Sequence, residues 1–408
     1  MKLISVIIPT HNRKSALLKT LTALTAQTFP LNNFEVIVVA DGCNDGTTEM
    51  LEGLDSPLGL TIIEQVGNGA ASARNSGASK ATGSFLLFLD DDIEASPHLL
   101  EAHVLQLQRN PKRVVIGYLP TILEGQKGIF RTKLREWWED MFIKMNQQGY
   151  RFSFRDLLSG NFSLSAKLFK EIGGFNINFK CQEDYELGLR LIQAGASFTF
   201  APQALGYHHE ITNLDRSLQR KYQEGKAAVQ FAKEYPSIIY ALPIISQFNS
   251  WYGRTYLKQL KYIFKWPSIT DSLARWLRQY LNILEWLRMR GSWQRLLDKL
   301  MAYWYLRGVA DASGNNEMLL TILKDAKANE GQGPFPLPFI LDIKNGIDKA
   351  EIELDKYQPV SLTIKYGDYS IGYVDPKFGF ENLRGGHLRT ILAKSFADSL
   401  AHALTLDK

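Results

Sequence analysis

The chain has 408 residues, of which 45% are hydrophobic and 22% charged, and its formal net charge is +5. These values are typical of an ordinary soluble protein with two or three domains, and the mild charge predicts no nucleic-acid partner. The only two cysteines, Cys43 and Cys181, disfavour a disulfide framework and a thiolate metal site, and they favour a reducing, cytoplasmic compartment.

The N-terminal half alternates short apolar or β-branched runs with helical patterns. Pro9 ends the first apolar run and no cleavage signal follows, which predicts a strand and not a signal peptide. No stretch of the chain approaches the roughly 20 apolar residues of a membrane span. We predict strands at residues 3–8, 34–39, 60–64, 85–89 and 114–118, and helices at 14–27, 69–81 and 97–109. This alternation predicts a Rossmann-like α/β fold, with a mostly parallel sheet flanked by helices.

Polar side chains follow the predicted strands, where a parallel sheet collects its ligand-binding loops. Thr10 and Arg13 come after the first strand, at positions suited to a base and a phosphate, and Asp41 ends the second. A carboxylate there can accept the imide N–H of a uracil, although Asp-Gly is also a common turn. The Gly-rich turn at residues 67–69 then opens a small-residue helix. Its Arg74 could pair with a diphosphate, and a plain helix cap is the alternative.

Three consecutive carboxylates, Asp90, Asp91 and Asp92, directly follow the apolar strand at residues 85–89. Adjacent carboxylates repel one another unless a cation lies between them. A hard divalent ion such as Mg²⁺ or Mn²⁺ prefers carboxylate oxygen and fills its other positions with water and substrate phosphate. The triplet therefore indicates a metal-bridged nucleotide, whereas a solvated turn or helix cap is the alternative interpretation.

Taken in order, these motifs resemble the inverting family 2 glycosyltransferases of the GT-A fold. The family's order is a strand ending in Pro-Thr with Asn two residues later, an edge Asp, an Ala-Arg-Asn-x-Gly helix, a Leu-Asp-Asp-Asp strand end and a downstream Glu-Asp pair. All of these elements occur between residues 3 and 209, about half of the chain. The resemblance implies a GT-A domain at residues 1–213.

The resemblance also implies roles for individual residues. Pro9, Thr10 and Asp41 would surround the nucleobase, Asp91 would contact the ribose side of the donor, and Asp92 would bind Mn²⁺ or Mg²⁺. The register of the triplet is ambiguous by one residue, which leaves the role of Asp90 open. Together, the candidate substrate- and nucleotide-binding residues are Pro9, Thr10, Asn12, Arg13, Asp41, Arg74, Asp90, Asp91, Gly160, Asn161 and Glu183.

Asp184 is the predicted catalytic base. Inverting transfer needs a carboxylate that takes the proton of the acceptor hydroxyl, and the family's Glu-Asp motif corresponds to Glu183-Asp184, with Glu183 in support. Without the upstream motifs, both would be read as first-turn acids that stabilise a helix at residues 185–194. His208 is a candidate metal ligand and His209 a weaker one, and a partly exposed surface His pair is the alternative.

The rest of the chain gives weaker signals. Residues 214–330 form long helical patterns that are rich in basic residues and tryptophan, which fits either a membrane-surface face or a bundle with its tryptophans inside. Residues 331–338 are typical of a linker. Residues 335–408 predict a small α+β domain of unassigned role, with two or three strands at 352–373 and a helix at 388–404.

We therefore predict a metal-dependent inverting transferase that moves a hexose, from a UDP-sugar, to a hydroxyl of a glycan or lipid-linked acceptor. An anionic membrane surface is a candidate partner, at the cytoplasmic face. Two other classes compete with this hypothesis. A sugar nucleotidyltransferase would carry a Gly-rich basic loop near the N-terminus, which residues 9–14 lack. A non-catalytic nucleotide-sugar sensor or membrane scaffold would need no base opposite the metal. The sugar, the linkage and the oligomeric state are not predicted.

Overall fold

The computed structural model describes residues 2–122, 128–244, 253–328 and 337–406. Its main sheet has the order β3-β2-β1-β4-β8-β6-β9-β5, with β7 beside β9. All strands from β1 to β4, together with β6 and β9, run in one direction, whereas β8 is antiparallel to both of its neighbours. The strands are β1 Ile4–Thr10, β2 Phe34–Asp41, β3 Leu60–Gln65, β4 Phe85–Leu89, β5 Ile93–Ala95, β6 Arg113–Tyr118, β7 Thr121–Ile122, β8 Asn161–Ser165 and β9 Ser197–His209.

Helices cover both faces of this sheet, as the alternating sequence predicts. Leu17, Leu21 and Leu24 of α1 are buried in the main core. The helix α3 packs closely because Gly77 has no side chain: a Cβ there would lie 2.5 Å from Cγ2 of Ile7. The helices of this part are α1 Lys14–Thr25, α2 Thr47–Glu52, α3 Ala70–Lys80, α4 Leu99–Leu107, α5 Ile129–Met145, α6 Ala166–Glu171 and α7 Glu183–Gln193. Mostly parallel strands with helices on both faces confirm the predicted fold class.

A helical region follows the sheet and shares its core. It comprises α8 Leu214–Glu234, α9 Gly253–Lys265, α10 Pro267–Trp286, α11 Arg290–Ser313 and α12 Asn316–Ala328. Phe231 of α8 and Leu306 and Val309 of α11 belong to the same buried cluster as the sheet. Within the described residues, none of the helices combines the length and the apolar character needed to cross a bilayer.

The tryptophans of the helical region divide between interior and surface. Trp293 is buried, while Trp266, Trp276 and Trp286 are exposed, and Trp251 lies outside the described residues. Trp266 and Trp276 belong to an apolar row on α9, α10 and the residues just after each of them, which we call the aromatic stripe, whereas Trp286 lies outside this row. Its members recur every three or four residues: Tyr262, Trp266, Ile269, Leu273, Trp276, Tyr280, Ile283 and Leu287.

The C-terminal part forms a small α+β unit with its own core. Its elements are β10 Phe339–Asp342, α13 Ile347–Tyr357, β11 Leu362–Tyr366, β12 Tyr369–Val374, α14 Gly385–Ser395 and α15 Ala397–Leu406. Two strands, β11 and β12, occupy most of the second half of the range 352–373, where two or three were predicted. Residues 352–357 instead belong to α13, because Ala350 and Leu354 lie one turn apart and bury the same helical face. The predicted single helix at 388–404 is interrupted at Phe396, whose ring packs onto Gly372 of β12.

This unit is attached to the sheet through Glu381. The side chain of Glu381 is buried, and its two carboxylate oxygens accept hydrogen bonds from the backbone N–H groups of Phe152 (3.2 Å) and Phe198 (3.2 Å). Arg384 and His387 of the same unit also bond this carboxylate. Since a buried carboxylate is costly unless its oxygens are paired, these bonds fix how the two parts contact each other.

Candidate active site

The predicted acids meet at the carboxyl edge of the main sheet. Because β1, β2 and β4 are parallel, Thr10, Asp41 and the triplet 90–92 leave the sheet at the same edge. Thr10 Oγ1 donates to Asp91 Oδ2 at 2.7 Å. β8 begins at this edge too, where the carbonyl of Gly160 accepts a hydrogen bond from the Asp90 N–H at 3.1 Å. A Cβ on Gly160 would lie 2.9 Å from Asp90 Oδ2, so a larger residue here would displace the Asp90 carboxylate.

Arg13 bridges two carboxylates of the triplet. Its Nη1 donates to Asp91 Oδ1 at 3.0 Å and also contacts Asp92 Oδ2. Burial raises the pKa of Asp91 to about 6, although Arg13 and Thr10 act in the opposite direction. For Asp92, burial alone would raise the pKa, but His208 and Arg13 outweigh burial and lower it. The adjacent acids that the sequence predicts to need a cation therefore have a guanidinium between them.

Asp92 and His208 form the candidate metal site. Asp92 Oδ1 lies 3.6 Å from His208 Nε2, and this oxygen is buried without a hydrogen-bond partner among the described residues. Burial acts to lower the pKa of His208, but the nearby Asp92 carboxylate outweighs burial, so the pKa of His208 is raised. Glu210 Oε2 is 4.0 Å from the other ring nitrogen of His208. His209 instead contacts Glu94 at 2.9 Å.

The donor set at this site suits a hard divalent ion with few protein ligands, because such an ion completes its shell with water and phosphate. Across the part of the chain that the structure describes, no group of three or more His, Cys, Asp or Glu side chains is placed to hold a metal. Asp92 Oδ1 is buried without a hydrogen-bond partner among the described residues and faces His208 Nε2, and this arrangement fits a bound cation. An ion here would therefore depend on substrate for part of its coordination.

Asp41 holds the Gly-rich turn in place. Its Oδ1 accepts from Gln65 Nε2 (2.7 Å) and from the Asn68 N–H (2.8 Å), and its Oδ2 accepts from the Gly69 N–H (2.8 Å). The sequence did not predict Gln65 or Asn68 as site residues, although Gln65 ends β3 at the same edge. Any nucleobase that bonds Asp41 would share the carboxylate with these donors.

Pro9 and Asn12 lie at the end of β1 and just after it. Pro9 is half-buried beside Val39 of β2. Asn12 is exposed and has a φ of 53°, and its Oδ1 accepts from the Asn44 N–H at 2.8 Å. Asn12 therefore joins the loop after β1 to the loop after β2. Both residues remain predictions as substrate contacts.

Arg74 connects the two halves of the site. Its Nη2 donates to Asp90 Oδ1 at 2.8 Å and its Nη1 to Glu183 Oε1 at 3.0 Å. The guanidinium also lies over the ring of Phe175, 5.5 Å from the ring centroid. Arg74 is only 4% exposed, so in this structure it joins two carboxylates and does not face open space as a nucleotide ligand would.

Asp184 lies in the first turn of α7, which begins at Glu183. The residue before the helix, Gln182, has a φ of 61°, which is unusual for a residue other than glycine. Burial and the neighbouring charge of Glu183 raise the pKa of Asp184 to about 7, while the charges of Arg220 and Arg74 oppose this. A carboxylate with such a pKa is suited to general-base catalysis near neutral pH. Arg220 comes from α8, and no motif near the predicted site signalled it.

Asn161 lies beneath the site and not in it. It is fully buried, its Oδ1 is 2.8 Å from His103 Nε2, and its Nδ2 donates to the carbonyl of Ala204 at 2.9 Å. The other ring nitrogen of His103 is 2.7 Å from Ser163 Oγ. Burial lowers the pKa of His103 to about 4. In this structure the predicted substrate residue Asn161 orients β8 through internal hydrogen bonds.

A cavity of about 640 Å³ lies next to the first turn of α7, and we call it the helical cavity. Gln182, Tyr185 and Arg220 line it near the predicted base, and Trp138 and Glu210 line it near His208. The ring of Trp138 meets the ring of His208 edge-on at 6.1 Å between centroids. Helices α5, α7, α8 and α11 all contribute walls, so the helical region builds a large part of this cavity.

Comparison with known families agrees with this geometry. Residues 5–173 match the model described as "Glycosyl transferase family 2", and residues 139–213 match one described as "N-terminal domain of galactosyltransferase". Among curated proteins, the chain is 31% identical over 269 residues to a validoxylamine A glucosyltransferase of Streptomyces hygroscopicus, covering 58% of this chain and 62% of that protein. It is 29% identical over 231 residues to the glycosyltransferase AglE of Haloferax volcanii, covering 56% of this chain and 73% of that protein.

Solved structures with a similar fold include Staphylococcus aureus TarS 1–349 in complex with UDP-GlcNAc. This comparison has a TM-score of 0.48 at 18% identity and covers 84% of this chain and 95% of that one. The aligned region spans about three fifths of the length of the two validoxylamine A glucosyltransferases that the chain matches. The family match over residues 5–173 and the glycosyltransferases among its relatives confirm the predicted resemblance: residues 5–173 correspond to a glycosyl transferase family 2 domain.

Proposed function

We propose that this chain is a metal-dependent inverting glycosyltransferase that moves a hexose from a UDP-sugar to a hydroxyl of a glycan or lipid-linked acceptor. One observation carries this proposal. Asp184, a carboxylate whose pKa is raised to about 7, is tied to the acidic sheet edge by the hydrogen-bonded series Glu183, Arg74 and Asp90. The name of the glucosyltransferase relative supports a hexosyl donor.

The donor would bind along the carboxyl edge of the sheet. Thr10 and Asp41 would contact the nucleobase and Asp91 the ribose side, as the family resemblance implies. Arg13, which is partly exposed beside Asp91 and Asp92, would reach the phosphates. Asp92 and His208 would hold a divalent cation, which neutralises the negative charge that develops on the leaving diphosphate.

Asp184 would act on the acceptor. Its carboxylate takes the proton of the attacking hydroxyl while that oxygen forms a bond to the anomeric carbon, and the bond from this carbon to the UDP oxygen breaks on the opposite face. The configuration at the anomeric carbon is thereby inverted. The proton stays on Asp184, and UDP leaves with its extra negative charge.

The helical cavity is the proposed route for the acceptor. Gln182 and Tyr185, which flank Glu183 and Asp184 in the sequence, line it on one side, and the rings of Trp137, Trp138 and Tyr185 lie on its walls. Aromatic rings of this kind offer apolar faces to a sugar ring or to the apolar part of a lipid-linked acceptor. Arg220 on the rim brings a positive charge close to the base, which favours its ionised form.

Release of UDP from a panel of UDP-sugars with Mn²⁺ or Mg²⁺ tests the proposal. Asp184→Asn should lose turnover by about a thousandfold or more while it retains UDP binding, because only the proton acceptor is removed. Asp368→Asn, in an exposed turn of the C-terminal unit, is the matched control and should keep full activity. Turnover by Asp184→Asn at the control rate would remove Asp184 from its role, and the absence of UDP release with every donor would refute the proposed reaction.

The aromatic stripe supports attachment to an anionic membrane surface, at the cytoplasmic face of the cell membrane. Trp276 of the stripe is 63% exposed, and Trp286, which lies outside the stripe at the end of α10, is 80% exposed. Exposed basic residues flank the stripe: Lys258, Lys261, Lys265, Arg275, Arg288, Arg290, Arg295 and Lys299. The acids Asp271 and Glu285 of α10 are occupied by Arg307 and by the Ile129 N–H. Tryptophan on an apolar face with basic neighbours is typical of helices that lie in a membrane interface.

Co-sedimentation with vesicles tests this attachment. The wild-type chain should sediment with vesicles that contain anionic lipid, and raised salt should release part of it because ionic attraction is screened. Trp276→Ser combined with Ile283→Ser should weaken the binding, whereas Ile352→Ser, at an exposed apolar position of α13, should not. A wild-type chain that stays in the supernatant at low salt would refute the attachment.

A further inference from the structure

A second cavity, of about 520 Å³, lies between the main sheet and the C-terminal unit, and we call it the arginine cavity. Its walls include Arg109 after α4, Arg113 at the start of β6, and Arg384 directly before α14. Because β6 runs parallel to β4 in the overall sheet, its first residue lies at the edge opposite to the triplet 90–92. The arginine cavity is therefore a separate place from the candidate active site.

The three arginines converge without enough negative charge to balance them. Among the ion pairs between described residues, none includes Arg109 or Arg113. The Nη1 of Arg113 donates only to neutral oxygens of Gln106, at 3.3 and 3.2 Å. Burial lowers the pKa of Arg113, and the positive charges of Arg384 and Arg109 lower it further. The Nε atoms of Arg113 and Arg384 are buried without hydrogen-bond partners in the described parts of the chain.

The acids nearby are already engaged. Glu381 Oε2 accepts from Arg384 Nη2 at 2.7 Å, and the same carboxylate also bonds two backbone N–H groups of the catalytic domain. Asp355, a residue of the cavity wall, accepts the Gly385 N–H at 2.9 Å. The wall therefore carries three arginines and one carboxylate, Asp355, while Glu381 behind the wall pairs with Arg384. Arg113 and Arg384 are half-buried and Arg109 is exposed, so water offsets part of this excess of positive charge and a bound anion would offset the rest.

We infer that the arginine cavity binds a phosphate group, as free phosphate or as a phosphomonoester, between Arg109 and Arg113 of the catalytic domain and Arg384 of the C-terminal unit. Guanidinium groups bind phosphate through paired N–H donors, and the first turn of a helix adds backbone N–H groups. In the first turn of α14, the N–H groups of Gly385 and His387 are taken by Asp355 and by the Arg384 carbonyl, so the N–H of Gly386, where a Cβ would meet no atom within 4 Å, is the candidate donor.

Such an anion would couple the two parts of the molecule. Arg113 belongs to the main sheet and Arg384 to the C-terminal unit, so their mutual repulsion works against the contact that Glu381 makes. A phosphate group between them would replace this repulsion with attraction on both sides. Binding should therefore raise the thermal stability of the whole chain as well as fill the cavity.

Titration calorimetry of the full chain with inorganic phosphate tests the inference. The wild-type protein should bind phosphate saturably at one site, and Arg109→Gln combined with Arg113→Gln should weaken this binding about tenfold or more. Arg275→Gln combined with Arg295→Gln removes the same charge from exposed helix positions and should leave the affinity unchanged. UDP binding should be equal in all three proteins, so failure of the proposed transfer reaction would leave this result intact.

A parallel titration with glycerol 3-phosphate distinguishes the two sources of the phosphate group. Tighter binding of inorganic phosphate would indicate the free ion, and tighter binding of glycerol 3-phosphate would indicate a phosphomonoester. Saturating phosphate should also raise the midpoint of thermal unfolding in the wild-type and control proteins, but not in the Arg109→Gln, Arg113→Gln protein. Equal phosphate affinity in that variant and the control, or the lack of saturable binding by the wild-type chain, would overturn the inference.

Discussion

The crossing of α8 and α11 gives the sharpest prediction about stability. The two helices meet at a pair of glycines: a Cβ on Gly308 would lie 1.9 Å from the carbonyl oxygen of Tyr222, and a Cβ on Gly225 would lie 2.0 Å from that of Tyr305. Side-chain carbons do not come closer than 3.0 Å to such atoms. Gly308→Ala must therefore push the two backbones apart by roughly 1 Å, because neither obstacle is a flexible side chain.

The expected magnitude is the difference between two effects. Overpacking of a closely packed interface costs about 1–3 kcal/mol, and alanine gains about 1 kcal/mol over glycine within a helix. We expect Gly308→Ala to lower the free energy of unfolding by up to about 2 kcal/mol, and to leave the variant about 1–3 kcal/mol less stable than Gly291→Ala, which has the same gain without the overpacking. Gly291→Ala is the matched control on the same helix, since a Cβ there meets no atom within 4 Å, and it should be neutral or stabilising.

Urea denaturation followed by circular dichroism measures both variants. The same displacement should also affect function, because α8 carries Arg220 and α11 carries Tyr305 on the wall of the helical cavity. The KM for the acceptor should therefore rise in Gly308→Ala and remain unchanged in Gly291→Ala. A Gly308→Ala protein as stable as the Gly291→Ala protein would refute the tight crossing.

Three further predictions concern buried charges. Arg74→Met should lower the free energy of unfolding by about 2–3 kcal/mol, because it leaves Glu183 unpaired. In a double-mutant cycle, adding Glu183→Gln should recover part of this loss, and additive losses would contradict the pairing. Turnover should increase with pH and level off above about 7 as Asp184 loses its proton, and Arg220→Gln should move this transition to higher pH in kcat profiles. His103 has a folded-state pKa of about 4, below its unfolded value. The neutral, buried imidazole should therefore stabilise the folded protein by up to about 3 kcal/mol above pH 6.5, and this stabilisation should be lost as the pH falls toward 4. Unfolding of a His103→Gln protein should lack this part of the pH dependence.

Local pattern was sufficient to predict strands β1, β2, β3, β4 and β6, because a buried parallel strand is apolar along most of its length. The short strands β5 and β7 and the antiparallel strand β8 were not predicted. The same reasoning failed in the C-terminal unit. Residues 352–357 alternate polar and apolar side chains like a strand, yet Ala350 and Leu354 together form the buried side of α13.

The site was predictable where one motif carries one role, and less so where distant segments meet. Asp184 was predicted from the Glu-Asp pair together with the upstream motifs, and its role as the base stays a prediction. The charge of Arg220 opposes the rise in the pKa of Asp184. Arg220 lies on α8 in the helical region, where no sequence motif points to it. Sequence patterns also do not tell which partner a cation takes: Arg74 was expected at a diphosphate, and it is buried between Asp90 and Glu183. Such pairings depend on the three-dimensional contact of segments more than 100 residues apart.

Arg13 and Arg74, the two arginines at the sheet edge, differ in how far their side chains are exposed, and this difference suggests different roles for them. The side chain of Arg13 is 37% exposed, whereas that of Arg74 is 4% exposed. Moving a partly exposed guanidinium away from a carboxylate costs little, since water replaces the lost contact, but a buried guanidinium leaves unpaired charges behind. Arg74 is therefore a fixed counter-ion that keeps Asp90 and Glu183 together. In the proposed reaction, Arg13 would be an exchangeable one, which would leave Asp91 and Asp92 to a cation and contact the diphosphate of the donor.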